Sequence, residues 1–403
     1  MTKNLGCGEV VAGIDTHADT HHVAVIDITG QELGDDQFPA TARGYADLAD
    51  FVTNFGNITR VGVEGTGSYG AGITRHLQAL RVEVVEIIRP HRQLRRMHGK
   101  TDQLDAYAAA RTALASGDHP IPKTGQGPVE AIRYLFTARR SAIKARSAAI
   151  VQLKSLLVTA PDGLREKFAG LTPVALIAKI IQARSTQDMV AKVALQTLKS
   201  LARRYRFLCH EVKELEKQLA ALVTDTAPGL TAAFGVGVFS AAQLLITAGD
   251  NPHRLRSEAS FAALCGVSPI PASSGKTNRH RLNRGGDRQA NSALHAIALS
   301  RWKNDERTQA YITKKRAEGR GTKEILRCLK RAIAREIYKI LTQPQATKPA
   351  MPDLKTQRET KNFTVSQAAQ ALKTWPARIS DIEHNRRPLP HLTHRYQQWL
   401  QTA

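Results

Sequence analysis

The sequence predicts an α/β domain at the front of the chain and mainly helical domains behind it. Three observations carry that prediction. Short β-branched apolar runs alternate with helical patterns between residues 10 and 88. From Gly127 onward the pattern is almost wholly helical and rich in alanine and arginine. A Pro/Gln/Lys/Thr linker after Leu341 then gives way to roughly forty residues with renewed helical spacing. Strands first, then strands alternating with helices, place a mixed sheet with helices on its faces at the front. A long helical coiled-coil segment, a mainly α C-terminal domain and a small helical tail follow.

Composition bounds the function. The 403 residues suffice for two or three domains with proper cores, and 42% hydrophobic content excludes wholesale disorder. Fifty-eight Lys and Arg against 35 Asp and Glu give a net charge of +23, and the pI is near 10.2. Such an excess implies a polyanionic partner, with nucleic acid the default and a membrane surface the competitor. No apolar run reaches the length of a bilayer span, and Val174–Gln182 is short and contains Lys179. No apolar signal region precedes the first strand, which argues against export. Cys7, Cys209, Cys265 and Cys328 are scattered without CxxC spacing, which disfavours disulfides and a structural zinc. The expectation is a cytoplasmic, nucleoid-associated protein that handles DNA and has no membrane role.

Taken in order, Val10–Asp15, His22–Ile28, Ile58–Glu64 and Val82–Ile88 read as strands. Thr29 and Gly30 supply turn chemistry after the second. Arg43–Val52 and Tyr69–Leu80 have helical spacing. Two strands end in an acid, Asp15 and Glu64, and active sites of open α/β sheets lie beyond the carboxyl ends of strands. Asp102 and Asp105 follow at a helix start, three residues apart and so on one helical face. Alone, this second pair could be ordinary acids favoured by the helix macrodipole. With the strand-end acids it makes a quartet of hard oxygen donors, which suits Mg²⁺ or Mn²⁺. Two such ions about 3.5–4 Å apart can stabilise the attacking and leaving oxygens of phosphoryl transfer. The basic cluster Arg89, Arg92, Arg95, Arg96 and Lys100 precedes the pair and could hold phosphate beside it. His17, His21 and His22 invite a zinc reading, but a strand sends His21 and His22 to opposite faces. Substrate contact or plain surface fits them better.

Residues from Gly127 to Val158 and from about Val193 to Val223 read as two long helices, an antiparallel coiled-coil arm, a dimer contact or part of an ordinary bundle. Pro161–Asp188 would be the tip or an insertion. Gly235-Val236-Gly237 between two short helices is similar to a helix–hairpin–helix, whose backbone N–H groups hold a phosphate without reading sequence. Beyond it, Pro269 and Pro271 exclude regular structure, and Ser273-Ser274-Gly275 follows as a loop. Lys276, Arg279, Arg281, Arg284 and Arg288 come next. Clustered arginines can polarise a phosphate that a serine attacks, and the same stretch could equally be a polar DNA-contacting turn. Residues 291–341 read as helices with a basic surface. In the tail, VSQAAQAL followed by ARISDIEHNRR resembles a helix-turn-helix, with Lys373–Pro376 in place of the usual glycine-containing turn.

Several stretches together resemble a known family. These are GIDTHADTHHVAV (Gly13–Val25), VGVEGTGSYG (Val61–Gly70), IRPHRQLRRMHGKTDQLDAYAAAR (Ile88–Arg111), FAALCGVSPIPASSGK (Phe261–Lys276) and RGGDRQANSALHAIAL (Arg284–Leu299). They are similar to the DEDD-type transposases of the insertion-sequence one-ten class, the group that contains the bridge-RNA-guided recombinases. The resemblance implies a RuvC-like, RNase-H-type domain over residues 8–122, whose metal-binding acids fall on Asp15, Glu64, Asp102 and Asp105. It also implies a transposase domain over 226–341 with a catalytic serine, matched best by Ser274, with Ser273 as the fallback. Residues 123–225 form the helical linker domain, 342–362 a linker and 363–403 the tail, which departs from the family pattern. Implied partners are the DNA of element ends and target, a second or fourth copy of the chain, and, for several members, a structured noncoding guide RNA. The leading function is a DNA transposase that cuts and rejoins DNA through metal-bound acids and a serine forming a covalent DNA intermediate. The alternatives are a metal-dependent nuclease or junction resolvase using water, and a domesticated DNA-binding regulator.

Overall fold

Backbone pairing at the front of the chain follows the predicted strands and adds one more. The computed structural model describes residues 8–87, 101–115, 117, 119–184, 188–273, 280–281, 283, 285–343, 354–384 and 389–402. Strands β1 (Glu9–Thr16), β2 (Thr20–Asp27) and β3 (Glu32–Pro39) form an antiparallel meander. After helix α1 (Ala42–Thr53), strand β4 (Asn57–Glu64) pairs parallel to β1. After α2 (Ala71–Ala79), β5 (Val84–Ile87) pairs parallel to β4, giving the order β3-β2-β1-β4-β5. This mixed sheet is consistent with an RNase-H-like N-terminal domain.

The sequence reading missed β3 because ELGDDQFP shows no apolar alternation. Pairing with β2 holds it, after a turn in which Asp27 Oδ1 accepts from the amides of Thr29 and Gln31. Gly30 supplies the positive φ of +90° that this turn requires. A charged outer strand also discourages edge-to-edge association.

Each face of the sheet is covered. Val10, Ala12, Ile14, Val23, Val25, Val61 and Val63 pack with Leu48 and Val52 of α1 and Ile73 and Leu77 of α2. On the other face, Val11, Ala24, Ile26, Val85 and Ile87 meet Ala106, Tyr107, Ala109, Ala110 and Ala113 of α3 (Asp102–Leu114). Alanines on α3 and glycines on the strands bring helix and sheet into close contact. A Cβ on Gly62 would lie 2.7 Å from the Ala109 carbonyl oxygen, and one on Gly13 would overlap the α3 backbone at Ala106 and Ala110.

Helix α4 (Pro128–Val158) leads through the short α5 (Asp162–Phe168) and α6 (Pro173–Gln182) into α7 (Met189–Thr226). Along α4, Ile132, Ala142 and Leu153 pack in turn with Leu219, with Leu208 and Val212, and with Leu195 and Leu198 of α7. Partner numbers fall as α4 numbers rise, so the two long helices are antiparallel. Each such fully buried leucine or isoleucine contributes about 1.5–3 kcal/mol relative to exposure.

The base of this hairpin inserts into the core of the next domain. That domain comprises α8 (Pro228–Ala232), α9 (Val238–Ala248), α10 (Glu258–Leu264), α11 (Arg288–Asn304), α12 (Glu306–Ala317) and α13 (Thr322–Thr342). An extended segment straps it to the sheet domain. Glu86 N donates to the Pro120 carbonyl on one side, and Asn251 Nδ2 donates to the Pro122 carbonyl on the other. Half-buried Lys123 donates to the Ile246 carbonyl, and desolvation holds its ammonium below the usual lysine range.

Contrary to the sequence reading, the Pro269–Pro271 stretch is not wholly irregular. Ile270–Pro271 (β6) pairs with His280–Arg281 (β7) as a two-residue antiparallel ribbon. Proline is tolerated there because an edge position needs no ladder N–H. Part of the stretch read as linker is helical and joins the tail: α14 (Leu354–Thr360) contributes Leu354 to a core it shares with α15 (Val365–Ala371), α16 (Pro376–Glu383) and α17 (Pro390–Thr402). No helix among the described residues is long and apolar enough to cross a membrane.

Candidate active site

Strand alternation fixes which side chains face α3. Gly13 lies beneath α3, so Asp15, two residues on, belongs to the same face. In the parallel register Ile14 pairs with Val63, which sets Glu64 beside Asp15 on the neighbouring strand. Gly62 also lies beneath α3, so Glu64 shares that face. Thr16 Oγ1 donates to the Glu64 carbonyl at 3.0 Å and ties the two strand ends together. Both acids sit at the carboxyl ends of parallel strands, where open α/β sheets place their sites.

Helix α3 brings the other two. Thr101 caps it, its side chain accepting from Leu104 N at 3.2 Å, so the helix starts at Asp102 with Asp105 also in the first turn. Asp105 is 3% exposed and Asp15 6%. Unsatisfied N–H groups at this helix end favour negative charge, which offsets part of the cost of gathering acids there.

The tightest group contains His17, which the sequence reading assigned to substrate contact or plain surface. His17 Nε2 lies 3.3 Å from Asp15 Oδ2 and 3.3 Å from Asp102 Oδ1. One ligand atom from each of Asp15, His17 and Asp102 falls within 4.8 Å of the others. Glu64 and Asp105 flank this group without belonging to it. The signal for His17 in the sequence was its place two residues after Asp15; it sits just past the end of β1, where its amide donates to the Thr20 carbonyl. Two carboxylates and an imidazole around one point fit a divalent cation, and the two acids would repel without a positive charge between them.

His21 and His22 part company as strand alternation requires. His21 is fully buried on the α1 side, stacked on Tyr45 with ring centroids 5.6 Å apart. Its Nδ1 donates to the Thr20 carbonyl at 3.0 Å. Burial lowers its pKa and keeps it neutral at pH 7. His22 faces α3 and meets Asp35 Oδ2 at 2.9 Å. Asp35 also accepts from Gln103 at 2.7 Å and Tyr107 at 3.2 Å. Burial opposes charge on Asp35, but these three donors together hold its carboxyl below the usual range. Burial and the Asp35 charge push the Tyr107 phenol up to about 12. This network pins β3 to α3 and so steadies the helix that carries Asp102.

The second predicted site lies on the surface of the other domain, whose core is separate. Ser273 is exposed just beyond β6, and Arg281 and Arg288 are exposed nearby in sequence. Ser274, Lys276, Arg279 and Arg284 lie outside the described residues, as do Arg89, Arg92, Arg95, Arg96 and Lys100. The base of the ribbon is clamped. A Cβ on Gly286 would lie 2.6 Å from the Leu264 carbonyl oxygen, and Asp287 N donates to that oxygen at 2.6 Å. Asn291 Nδ2 donates to the carbonyls of Cys265 and Gly266, while Lys330 Nζ donates to Asn291 Oδ1 at 2.8 Å. Sequence reasoning did not single out Asn291 or Lys330, because their roles depend on packing between α11 and α13.

The Gly235-Val236-Gly237 loop does join two helices. Gly235 has φ +76°, and its Cβ would meet Arg301 Cγ at 3.1 Å, so glycine there answers a backbone need. Arg301 donates to the Phe234 carbonyl and forms a bidentate pair with Glu336. At Gly237, where α9 begins, a Cβ would meet nothing within 4 Å, which leaves room for a backbone-contacting ligand.

Comparison with known proteins converges with this geometry. A DEDD-type family model described as "Transposase" matches residues 12–160. A second, described as "Transposase IS116/IS110/IS902 family", matches residues 228–313. Together they span more than half of the chain, one over the acidic site and the other over the serine ribbon. The chain belongs to the IS110 family of transposases. A curated relative, the "Insertion element IS110 uncharacterized 43.6 kDa protein" of Streptomyces coelicolor, is 32% identical over 139 residues. That match covers 34% of this chain and 34% of the relative, about a third of its length. The first matched segment contains Asp15, Glu64, Asp102 and Asp105. Residues beyond 313, the tail among them, lie outside both matched segments.

Proposed function

We propose that the protein is a DNA transposase of a mobile insertion sequence, cutting and rejoining DNA at the acidic site with a serine nucleophile. The observation that carries this reading is the convergence of Asp15, His17 and Asp102 under a family match to transposases. In the proposal, Asp15, Glu64, Asp102 and Asp105 hold Mg²⁺ or Mn²⁺, and His17 completes the donor set. When bound, such a cation supplies Lewis acidity to phosphate oxygens. The Ser274 hydroxyl attacks the scissile phosphorus, forming a serine–phosphate ester as the bond to the leaving sugar oxygen breaks and the hydroxyl proton ends on that oxygen. Ser273 is the alternate nucleophile. Exposed Arg281 and Arg288, with Lys276, Arg279 and Arg284, stabilise charge on the attacked phosphate. Arg89, Arg92, Arg95, Arg96 and Lys100 hold the strand near the acids, and Gly235 and Gly237 let α9 approach backbone phosphate. A structured guide RNA and a homodimer or homotetramer complete the set of proposed partners.

The test is a labelled element-end DNA incubated with protein and Mg²⁺, then resolved under denaturing conditions. The proposal expects a protein–DNA adduct that disappears in Ser274→Ala. An adduct that persists in Ser274→Ala moves the role to Ser273. Cleavage without an adduct, lost only in Asp102→Ala, makes the protein a water-using nuclease. Salt-sensitive DNA binding without any cleavage makes it a regulator.

A further inference from the structure

We infer that the tail, Leu354–Thr402, is a duplex-DNA-reading module in which α16 enters the major groove. This does not depend on the recombination chemistry proposed above. The tail has its own core of Leu354, Ala368, Ala369, Leu372, Ile379, Ile382, Tyr396 and Leu400. Within it, α15 and α16 are joined by only Leu372–Trp375. A turn of three or four residues, usually containing glycine, marks the helix-turn-helix. Here Lys373 takes φ +51°, the left-handed conformation that glycine usually supplies. Its amide donates to the Gln370 carbonyl and that of Thr374 to Ala369, closing the end of α15. A Thr364–Gln367 capping box fixes the other end of α15.

Helix α16 is anchored from within. Glu383, its last residue, accepts from Arg358 Nε at 2.6 Å and Nη2 at 3.0 Å, and from Tyr396 Oη at 2.6 Å. The Glu383 side chain is 1% exposed and that of Arg358 6%. A buried ion pair contributes little net stability, but its directional bonds fix how the helix is set. Three helices, α14, α16 and α17, thereby share one network.

The opposite side of α16 is left to solvent. Pro376 and Ala377 are exposed, Arg378, Ser380 and Asp381 are partly so, and Trp375 at the helix start is 78% exposed. Among the described residues, Arg378 makes only a loose contact with Asp381 at 3.8 Å, which a ligand can displace at small cost. Arginine reads guanine, a carboxylate accepts from cytosine N4, and an alanine methyl meets a thymine methyl. Charge favours the same partner, since residues 354–402 carry eight Lys and Arg against three Asp and Glu. An α-helix fits the major groove of B-DNA, whereas the A-form RNA groove is too narrow to read. Single-stranded RNA readers present several stacking aromatics, and this face offers Trp375.

The test uses the full-length protein in EDTA, so that metal-dependent cleavage is absent, and selects from a random-sequence duplex DNA pool. The expected result is one enriched motif. Arg378→Ala should bind the selected site about tenfold or more weakly and relax a base position, and Ala377→Glu should lose enrichment. Far-UV circular dichroism confirms that both surface variants fold. Unchanged motif and affinity in both would overturn the inference and leave the face to a protein partner. Preference for a random single-stranded RNA pool over the duplex would overturn it as well. Failure to form a covalent adduct would leave this result untouched.

Discussion

Gly13→Ala is a one-methyl change that should separate the acids of the active site. Gly13 lies on β1 beneath α3, two residues before Asp15. A Cβ there overlaps the Ala110 amide nitrogen and the Ala106 carbonyl oxygen, and comes 2.8 Å from the Ala109 carbonyl carbon. Ordinary contact begins near 3.4 Å, so α3 must retreat by more than half an ångström at Ala109 and further at the other two atoms. The obstacles are backbone atoms, so no side-chain rotation relieves them. Overpacking of this kind costs about 1–3 kcal/mol of stability. Asp102 rides on α3, so the same retreat carries it away from Asp15 and His17. A misplacement of about 1 Å in a reacting constellation can cost on the order of 100-fold in rate. Metal-dependent nicking of element-end DNA, read beside the thermal midpoint, should show activity falling far more than stability. Wild-type nicking and an unchanged midpoint in Gly13→Ala would refute the claim that α3 contact sets the spacing of the acids.

Two further outcomes concern the tail, where Trp375 and Trp399 report its unfolding by fluorescence. Lys373→Gly should stabilise the tail by about 1 kcal/mol, because glycine adopts positive φ without the cost borne by lysine; a destabilised tail would contradict the turn geometry. Burial opposes charge on Glu383, but hydrogen bonds from Arg358 and Tyr396 hold its carboxyl below the ordinary 4.5. Its stabilisation is therefore full above about pH 4.5 and lost as pH falls through the lower folded-state value. The tail midpoint should drop with acid across that window, and Glu383→Gln should flatten the dependence. An acid slope unchanged in Glu383→Gln would assign it to other groups.

Much of the fold was legible where burial leaves a mark in the sequence. The runs in β1, β2 and β4 are β-branched because both faces of those strands are covered. The polar edge strand β3 carries no such mark, being held by backbone pairing and by the partners of Asp35. Pro271 was read as excluding a strand, yet a two-residue ribbon edge asks nothing of its nitrogen. At the site, Asp15 and Asp102 could be matched to the family by motif, and the structure brings them together. His17 was read as substrate contact or plain surface, whereas the structure sets its Nε2 3.3 Å from both Asp15 and Asp102, just past the end of β1. The Asn291–Lys330 clamp was out of reach because it exists only once α11 and α13 pack.

The account rests on the acids of β1, β4 and α3 forming a divalent-metal site, and manganese binding to the DNA-free protein tests that directly. Electron paramagnetic resonance titration with Mn²⁺ should reveal saturable binding to the wild-type chain that is lost in both Asp15→Ala and Asp102→Ala. Binding that survives in both variants, or a wild-type chain that takes up no Mn²⁺ at saturable sites, would contradict it.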